Sequence, residues 1–211
     1  MNQNTHILND NRTEIIDLLR STQRTGIEKV ISWLDSEPSF FEASAARIHH
    51  DNVRGGLADH SLRVFRQAKA DWDSRDEAFK KKYPLESVII ASLLHDVCKM
   101  DIYKRAMKRR KNKLGQWEDV EGYNVSYKDF PMGHGEKSVI LLLLSGLQLN
   151  DDEMCAIRWH MGAFGLNFNS YEDERCYDTA RMEYPLCAIV QAADSLAAAI
   201  IETTAEDIDN L

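Results

Sequence analysis

One segment constrains the fold of this chain more than any other: an apolar run over residues 85–94 that leads directly into His95 and Asp96. The run follows a proline, which suits the first turn of a helix, so we predict a helix over 85–99. An imidazole and a carboxylate at core positions cost several kcal/mol unless they are paired. Lys99 lies three residues after Asp96 and shares a face of such a helix with it. A metal ion with a bound anion would satisfy all three side chains.

Composition excludes several classes of protein. The 211 residues are 44% hydrophobic, enough for one domain with its own core, and carry a formal net charge of −8. That charge argues against general affinity for nucleic acids or membranes. The four cysteines form no CxxC pair, so we expect reduced thiols in a cytoplasmic protein. The chain starts without a signal pattern, and its longest apolar run, 139–144, is far shorter than a membrane span.

Apolar periodicity predicts a helical body that forms a single domain over residues 1–211. Residues 1–24 form an N-terminal helical arm that packs on the body or on a partner, and this arm could support a homodimer. Further helices are predicted at 27–34, 57–72, 85–99, 134–144, 151–161 and 185–200. We expect the helix at 134–144 to be central because it is apolar nearly all round. Residues 165–178 are polar and aromatic and are predicted to form a surface loop.

Residues 101–131 differ from the rest of the chain. Seven basic and no acidic residues lie within 104–113, and 117–127 alternate with the period of a β-strand. We therefore predict an inserted β-hairpin that projects from the helical body. It forms either a solvated charged surface or a lid over the functional site. As a lid, it would bring Lys104 or Arg105 to phosphates and Tyr103 or Trp117 to a base.

Separate segments of the chain each place a histidine or a carboxylate at the end of a predicted helix or inside an apolar one. They are His60, His95 with Asp96, His134, His160 and Asp194. Asp194 is the only charged residue in the apolar run over 186–200, so it needs a partner. Each histidine taken alone has an ordinary structural explanation. The joint pattern is much more specific and indicates a metal site.

With these residues, the sequence resembles the HD-domain superfamily of metal-dependent phosphohydrolases over roughly residues 40–201. The family pattern is a first histidine, an adjacent His-Asp pair and a distant aspartate, which correspond to His60, His95 with Asp96, and Asp194. Members with two metals add two histidines, which match the segments GHGEKS at 133–138 and RWHMG at 158–162. The segment GGLADHSL at 55–62 resembles the branch that contains YhaM-type 3′–5′ exoribonucleases, although their OB-fold is missing here.

The resemblance implies an all-α fold, an HD-domain helical bundle with a small inserted β-hairpin, and a dinuclear site. One ion would be held by His60, His95, Asp96 and Asp194, and the other by His134, His160 and the second oxygen of Asp96. These donors suit Mn, Fe, Co, Ni or Zn, with Mg as a further candidate. Two divalent ions outweigh the charge of two carboxylates, so the site would attract an anion. A bridging hydroxide would serve as the nucleophile.

Several basic residues are candidate substrate contacts. We expect Asp96 and Lys99 to be catalytic, with Lys99 stabilising charge on the leaving oxygen. Arg54, Arg158 and His50 flank the ligand segments, and together with Lys104 they are predicted to contact the substrate. The alternative for each is an ordinary surface role, such as a lysine that reaches solvent from a helix end.

Three functions are open at this point. The first is a phosphodiesterase or phosphomonoesterase that acts on a nucleotide, a cyclic nucleotide or a short nucleic acid, with a phosphorylated small molecule or oligonucleotide as its partner. The second is a di-iron HD-domain oxygenase, and the third is a non-catalytic nucleotide-binding HD module. The position of Lys99 and the basic hairpin favour the first, and a complete ligand set argues against the third.

Overall fold

The computed structural model describes residues 3–46, 53–112, 114–167 and 169–201, which form a helical body with one two-stranded sheet. The helices are α1 Gln3–Ser21, α2 Ile27–Leu34, α3 Gly56–Asp73, α4 Glu77–Lys82, α5 Leu85–Leu94, α6 Lys99–Ile102, α7 His134–Leu144, α8 Asp151–Trp159, α9 Tyr171–Glu183 and α10 Pro185–Leu196. The strands are β1 Tyr103–Lys111 and β2 Trp117–Val125. A 3₁₀ turn, Gly162–Gly165, follows α8, and a π-helical turn, Ala197–Ile201, follows α10. No helix among these residues is long and apolar enough to cross a membrane.

Helix α5 lies at the centre of the body and contacts α1, α3, α8 and α10. It has no polar face, so every residue from 87 to 94 is buried, as its apolar run predicts. Helix α1 covers one side of this core, because Ile15 and Leu19 are fully buried. The apolar face of the N-terminal arm is therefore used within the chain.

The predicted helix over 85–99 is wrong in its last third. Helix α5 ends at Leu94, and residues 95–98 form tight turns before α6 begins at Lys99. In these turns the Val97 N–H donates to Leu94 O and the Lys99 N–H donates to Asp96 O, each three residues back. Bonds of this spacing wind the chain more tightly than an α-helix does. The His-Asp pair thus sits in a turn at the end of a buried helix.

Two other predictions fail at the edge of the body. Helix α7 is not central: one face packs on α8, whereas Leu143 and Leu144 are exposed, the latter by 75%. The predicted loop over 165–178 contains the first half of α9. Helix α9 begins there because the Ser170 hydroxyl accepts a hydrogen bond from the Asp173 N–H. Three acidic residues in its first turn also favour the helix N-terminus.

The inserted hairpin is confirmed. Strands β1 and β2 pair antiparallel from Tyr103 opposite Val125 to Lys111 opposite Trp117. The three arginines of β1 form ion pairs with acidic residues of β2, namely Arg105–Glu121, Arg109–Asp119 and Arg110–Glu118, whereas its three lysines lie opposite uncharged residues. The hairpin is therefore a charge-paired surface rather than a purely basic one. Exposed pairs of this kind add little stability.

A buried ion pair joins the segment after α1 to α8. Asn150 and Glu153 form the predicted capping box, in which each side chain accepts a hydrogen bond from the other residue's backbone N–H. The fully buried Glu153 carboxylate also accepts hydrogen bonds from both terminal nitrogens of Arg24, at 2.8 and 2.7 Å, and from the Ser87 hydroxyl at 2.7 Å. This network ties the N-terminal region to α5 and α8.

We expect Arg24→Met to lower the free energy of unfolding by about 3 kcal/mol, because it leaves the Glu153 carboxylate buried without its counter-charge. Urea unfolding followed by circular dichroism measures this. Arg20→Met is the matched control, since the Arg20–Glu28 pair is exposed and its loss should leave the midpoint unchanged. An unchanged midpoint for Arg24→Met would show that the buried pair is dispensable.

Candidate metal centre

Five of the six predicted ligands meet at the C-terminal end of α5. They are His60 on α3, His95 at the end of α5, Asp96 in the following turn, His160 at the end of α8 and Asp194 in the last turn of α10. Four of these side chains are buried, and that of Asp194 nearly so. The apolar helices that carry them pack against one another, so residues distant in sequence come together inside the core.

The first group of potential ligands consists of His60, His95 and Asp194. The Nε2 atoms of the two histidines lie 3.2 Å apart. Asp194 Oδ1 is 3.2 Å from His60 Nε2 and 3.8 Å from His95 Nε2. One donor atom from each residue falls within 4.8 Å of the others. A single cation could therefore contact all three residues.

The second group shares His95 with the first and adds Asp96 and His160. Asp96 Oδ2 lies 3.3 Å from His95 Nε2, and Asp96 Oδ1 lies 3.3 Å from His160 Nε2. The two oxygens of one carboxylate thus approach different histidines. Such a carboxylate can bridge two ions, which is the role that the family resemblance implies for Asp96.

The hydrogen bonds of the two rings assign their protons. His95 Nδ1 lies 2.8 Å from Ser92 O, and His160 Nδ1 lies 2.7 Å from Ile157 O. A carbonyl only accepts, so each Nδ1 carries a hydrogen, and the Nε2 atom of each ring is directed at a carboxylate. Among the described residues, His160 Nε2 and Asp96 Oδ1 have no hydrogen-bond partner of good geometry, although both are buried. A cation, either a proton on Nε2 or a metal ion, would satisfy both atoms, and this donor set suits a divalent transition metal.

The two carboxylates remain ionised inside the core. Burial opposes the charge of Asp96, but Lys99 and the neighbouring imidazoles hold the pKa of this carboxyl well below its usual range. Lys99 Nζ lies 2.6 Å from Asp96 Oδ2. Burial also opposes the charge of Asp194, yet a hydrogen bond from His60 and nearby imidazoles lower its pKa to about 2. The cluster therefore contains fixed negative charge that attracts cations.

The imidazoles respond to this charge in different ways. Burial dominates at His95 and at His134, and it lowers the pKa of each below the ordinary histidine value. At His160, burial acts in the same direction, but attraction by Asp96 outweighs it and raises the pKa. Of these three rings, His160 is the one on which a positive charge is most favoured.

His134 lies beside the two groups but does not belong to either of them. It is the first residue of α7, it is half-buried, and it lines a cavity of about 440 Å³ together with Arg158. The Cys98 thiol donates to His134 O at 3.4 Å, which links this residue to the turn that carries Asp96. His134 is thus placed between the cluster and the cavity.

The predicted substrate contacts are scattered. Arg158 lines the cavity, where its guanidinium is 2.6 Å from Glu136 Oε1 and stacks on the Trp159 ring. Arg54 is half-exposed and pairs with Glu42 on the surface. Lys104 is half-buried near the base of β1. His50 lies outside the described residues.

The suggested stacking role of Trp117 is wrong. Trp117 pairs with Lys111 at the far end of the hairpin, eight residues along the strand from Tyr103. At about 3.4 Å per residue this separation is roughly 27 Å. Tyr103 instead lies within electrostatic reach of Lys99 and Asp96, and burial raises the pKa of its phenol. Tyr103 is therefore the aromatic residue that the hairpin brings to the cluster.

No family model, curated protein or solved structure matches this chain.

Sequence reasoning did not anticipate the close contact that positions His134. A Cβ atom on Gly135 would lie 2.1 Å from Arg158 O and 2.7 Å from Arg158 C, so α7 and α8 touch through their backbones. A larger residue would push the two helices apart. In the sequence, the glycines on either side of His134, Gly133 and Gly135, are the feature that could have indicated this close contact.

We expect Gly135→Ala to destabilise the fold by about 1–3 kcal/mol, because the added methyl group overlaps a backbone carbonyl that cannot move freely. Chemical unfolding measures the change. Gly122→Ala is the control, since the nearest atom to its Cβ is the flexible Lys108 Cδ at 3.1 Å. Equal stabilities for Gly135→Ala and the wild type would contradict the close packing of α7 on α8.

Proposed function

We propose that this chain is a metal-dependent phosphohydrolase of the HD-domain superfamily, with two divalent ions bound at the cluster. The observation that carries the proposal is the buried donor set in which imidazole Nε2 atoms converge on carboxylate oxygens, with His160 Nε2 and Asp96 Oδ1 lacking a hydrogen-bond partner of good geometry among the described residues. His60, His95 and Asp194 would hold one ion. Asp96 and His160 would hold the other, with His134 completing it from the cavity side.

Bound divalent ions supply a nucleophile at neutral pH and neutralise charge on a phosphoryl group. The chain's own residues prepare the site for this chemistry. The carbonyl oxygens of Ser92 and Ile157 fix the orientation of His95 and His160, so their Nε2 atoms stay directed inward. The surrounding apolar helices keep water away from the ligands on the core side.

Lys99 would stabilise charge on the phosphate. Burial disfavours its ammonium, but Asp96 raises the pKa of Lys99, so the side chain remains cationic. It contacts Asp96 Oδ2 at 2.6 Å and is therefore beside the atoms that would bind metal. A fixed positive charge next to a phosphate oxygen stabilises a transition state in which that oxygen gains charge.

The substrate class that we propose is a nucleotide or a short oligonucleotide. With two ions bound, the cluster would be locally positive, so an anion can bind there although the chain has a net charge of −8. The neighbouring cavity offers the size of a small-molecule site. We further propose a cytoplasmic location, because all four cysteines are free thiols.

The first test is metal content per chain on protein prepared without a chelator, combined with hydrolysis of bis-p-nitrophenyl phosphate and p-nitrophenyl phosphate in air and without oxygen. We expect about two transition-metal ions per chain and hydrolysis that does not depend on oxygen. Two irons with no hydrolysis would replace this proposal with the di-iron oxygenase. Absence of bound metal would leave the nucleotide-binding module.

Two variants separate metal binding from turnover. Asp96→Asn should lose both metal and activity, because it removes the carboxylate charge that lies between His95 and His160. Lys99→Met should keep the metal and lose about 100-fold or more in kcat. Lys69→Met is the control, because Lys69 pairs with Asp73 on the exposed surface of α3. Full metal and full turnover in Asp96→Asn would contradict the site.

A further inference from the structure

The cavity beside His134 is built from four separate segments. These are the start of α7, the end of α8, the 3₁₀ turn after α8 and the connection that follows β2, and Asp173 in the first turn of α9 completes the lining. Its lining includes Tyr127, Met132, His134, Arg158, Phe164 and Leu166. Its volume of about 440 Å³ lies in the range of small-molecule sites. His134 lines this cavity and lies within electrostatic reach of Asp96 and His160, so the cavity adjoins the metal-ligand cluster at this residue.

Two aromatic side chains of the cavity are exposed. Phe164 is 92% exposed and Tyr127 is 57% exposed. The turn that carries Phe164 is fixed, because Gly162 adopts φ +57° and a Cβ there would lie 2.1 Å from Gln191 Nε2 on α10. The exposure of Phe164 is thus imposed by a packed backbone turn. An exposed aromatic side chain beside a polar cluster can stack on the flat ring of a ligand.

The charges of the cavity argue against a second phosphate. Its charged lining consists of Arg158, Glu136 and Asp173, and the Arg158 guanidinium is 2.6 Å from the Glu136 carboxylate. One positive and two negative side chains leave this part of the cavity acidic. Carboxylates and the nearby Asn167 side chain accept hydrogen bonds from amino and hydroxyl groups. A nucleoside offers both a flat face and such donors.

We propose that the cavity binds the nucleoside part of a nucleoside monophosphate, with Phe164 and Tyr127 against the base and the single phosphate at the metal centre. This inference rests on the proposed function, and it narrows the substrate to a monophosphate or to the terminal nucleotide of an oligonucleotide. Nucleoside diphosphates and triphosphates are disfavoured, because their additional phosphates would meet the acidic part of the cavity.

The binding test uses 2-aminopurine riboside, a fluorescent nucleoside without phosphate, titrated to millimolar concentration into the full chain. Stacking quenches its fluorescence, and neither metal nor hydrolysis is needed. We expect saturable binding that Phe164→Ala weakens by about 5- to 150-fold. Phe164→Trp should retain binding because it keeps an aromatic face. Trp117→Ala is the control, since Trp117 is similarly exposed (59%) but lies at the far end of the hairpin.

The activity test compares adenosine monophosphate, glycerol phosphate and adenosine triphosphate on the metal-loaded protein. We expect the highest kcat/KM for the monophosphate, and we expect Phe164→Ala to lower kcat/KM for it without changing that for glycerol phosphate. Saturable riboside binding with no hydrolysis of any ester would support the cavity assignment and contradict the proposed function. Hydrolysis with no riboside binding and no preference for adenosine monophosphate would overturn the cavity assignment alone.

Discussion

The structure depends on how one buried carboxylate is accommodated. Asp96 lies in the turn that follows a buried, largely apolar helix, where an ion without partners would be strongly unfavourable. Its two oxygens approach His95 on one side and His160 on the other, and Lys99 supplies a direct counter-charge. Helices α3, α8 and α10 all bring a polar side chain to this point. The core is therefore organised around a polar centre. Burying these charges costs free energy, and a bound ligand would offset that cost.

Cation binding accounts for features that packing does not. The carbonyl partners of His95 and His160 hold the proton of each ring on the outer nitrogen, which leaves the inner nitrogens facing carboxylate oxygens. Buried polar atoms are normally hydrogen-bonded, but His160 Nε2 and Asp96 Oδ1 have no such partner of good geometry among the described residues. His134 lies outside the two ligand groups and lines the cavity. A substrate in the cavity could supply further ligands to a bound metal ion. The cavity thus adjoins the cluster at His134.

The sequence predicts the centre better than its surroundings. Asp194 could be identified because a lone carboxylate in an apolar helical pattern needs a partner, whereas His60 and His160 were identified by the joint pattern and the family resemblance. The structure places all three at the cluster. The turn at 95–98 could not be predicted from the sequence, because its residues also fit a continuous helix. The contacts of Cys98 with His134, and of Gly135 with α8, depend on neighbours distant in sequence. Local sequence patterns do not reveal contacts between residues that are distant in sequence. The exposure of α7 could not be predicted for the same reason.

The most direct measurement is anomalous diffraction from crystals of the full chain prepared with Mn²⁺. We expect two anomalous peaks, one contacted by His60, His95 and Asp194 and the other by Asp96 and His160. Such peaks would establish that the facing nitrogen and oxygen atoms are metal ligands. An ordered cluster with no anomalous peak would contradict the account. The buried histidines and carboxylates would then form a protonated structural network, with Lys99 as the counter-charge of Asp96.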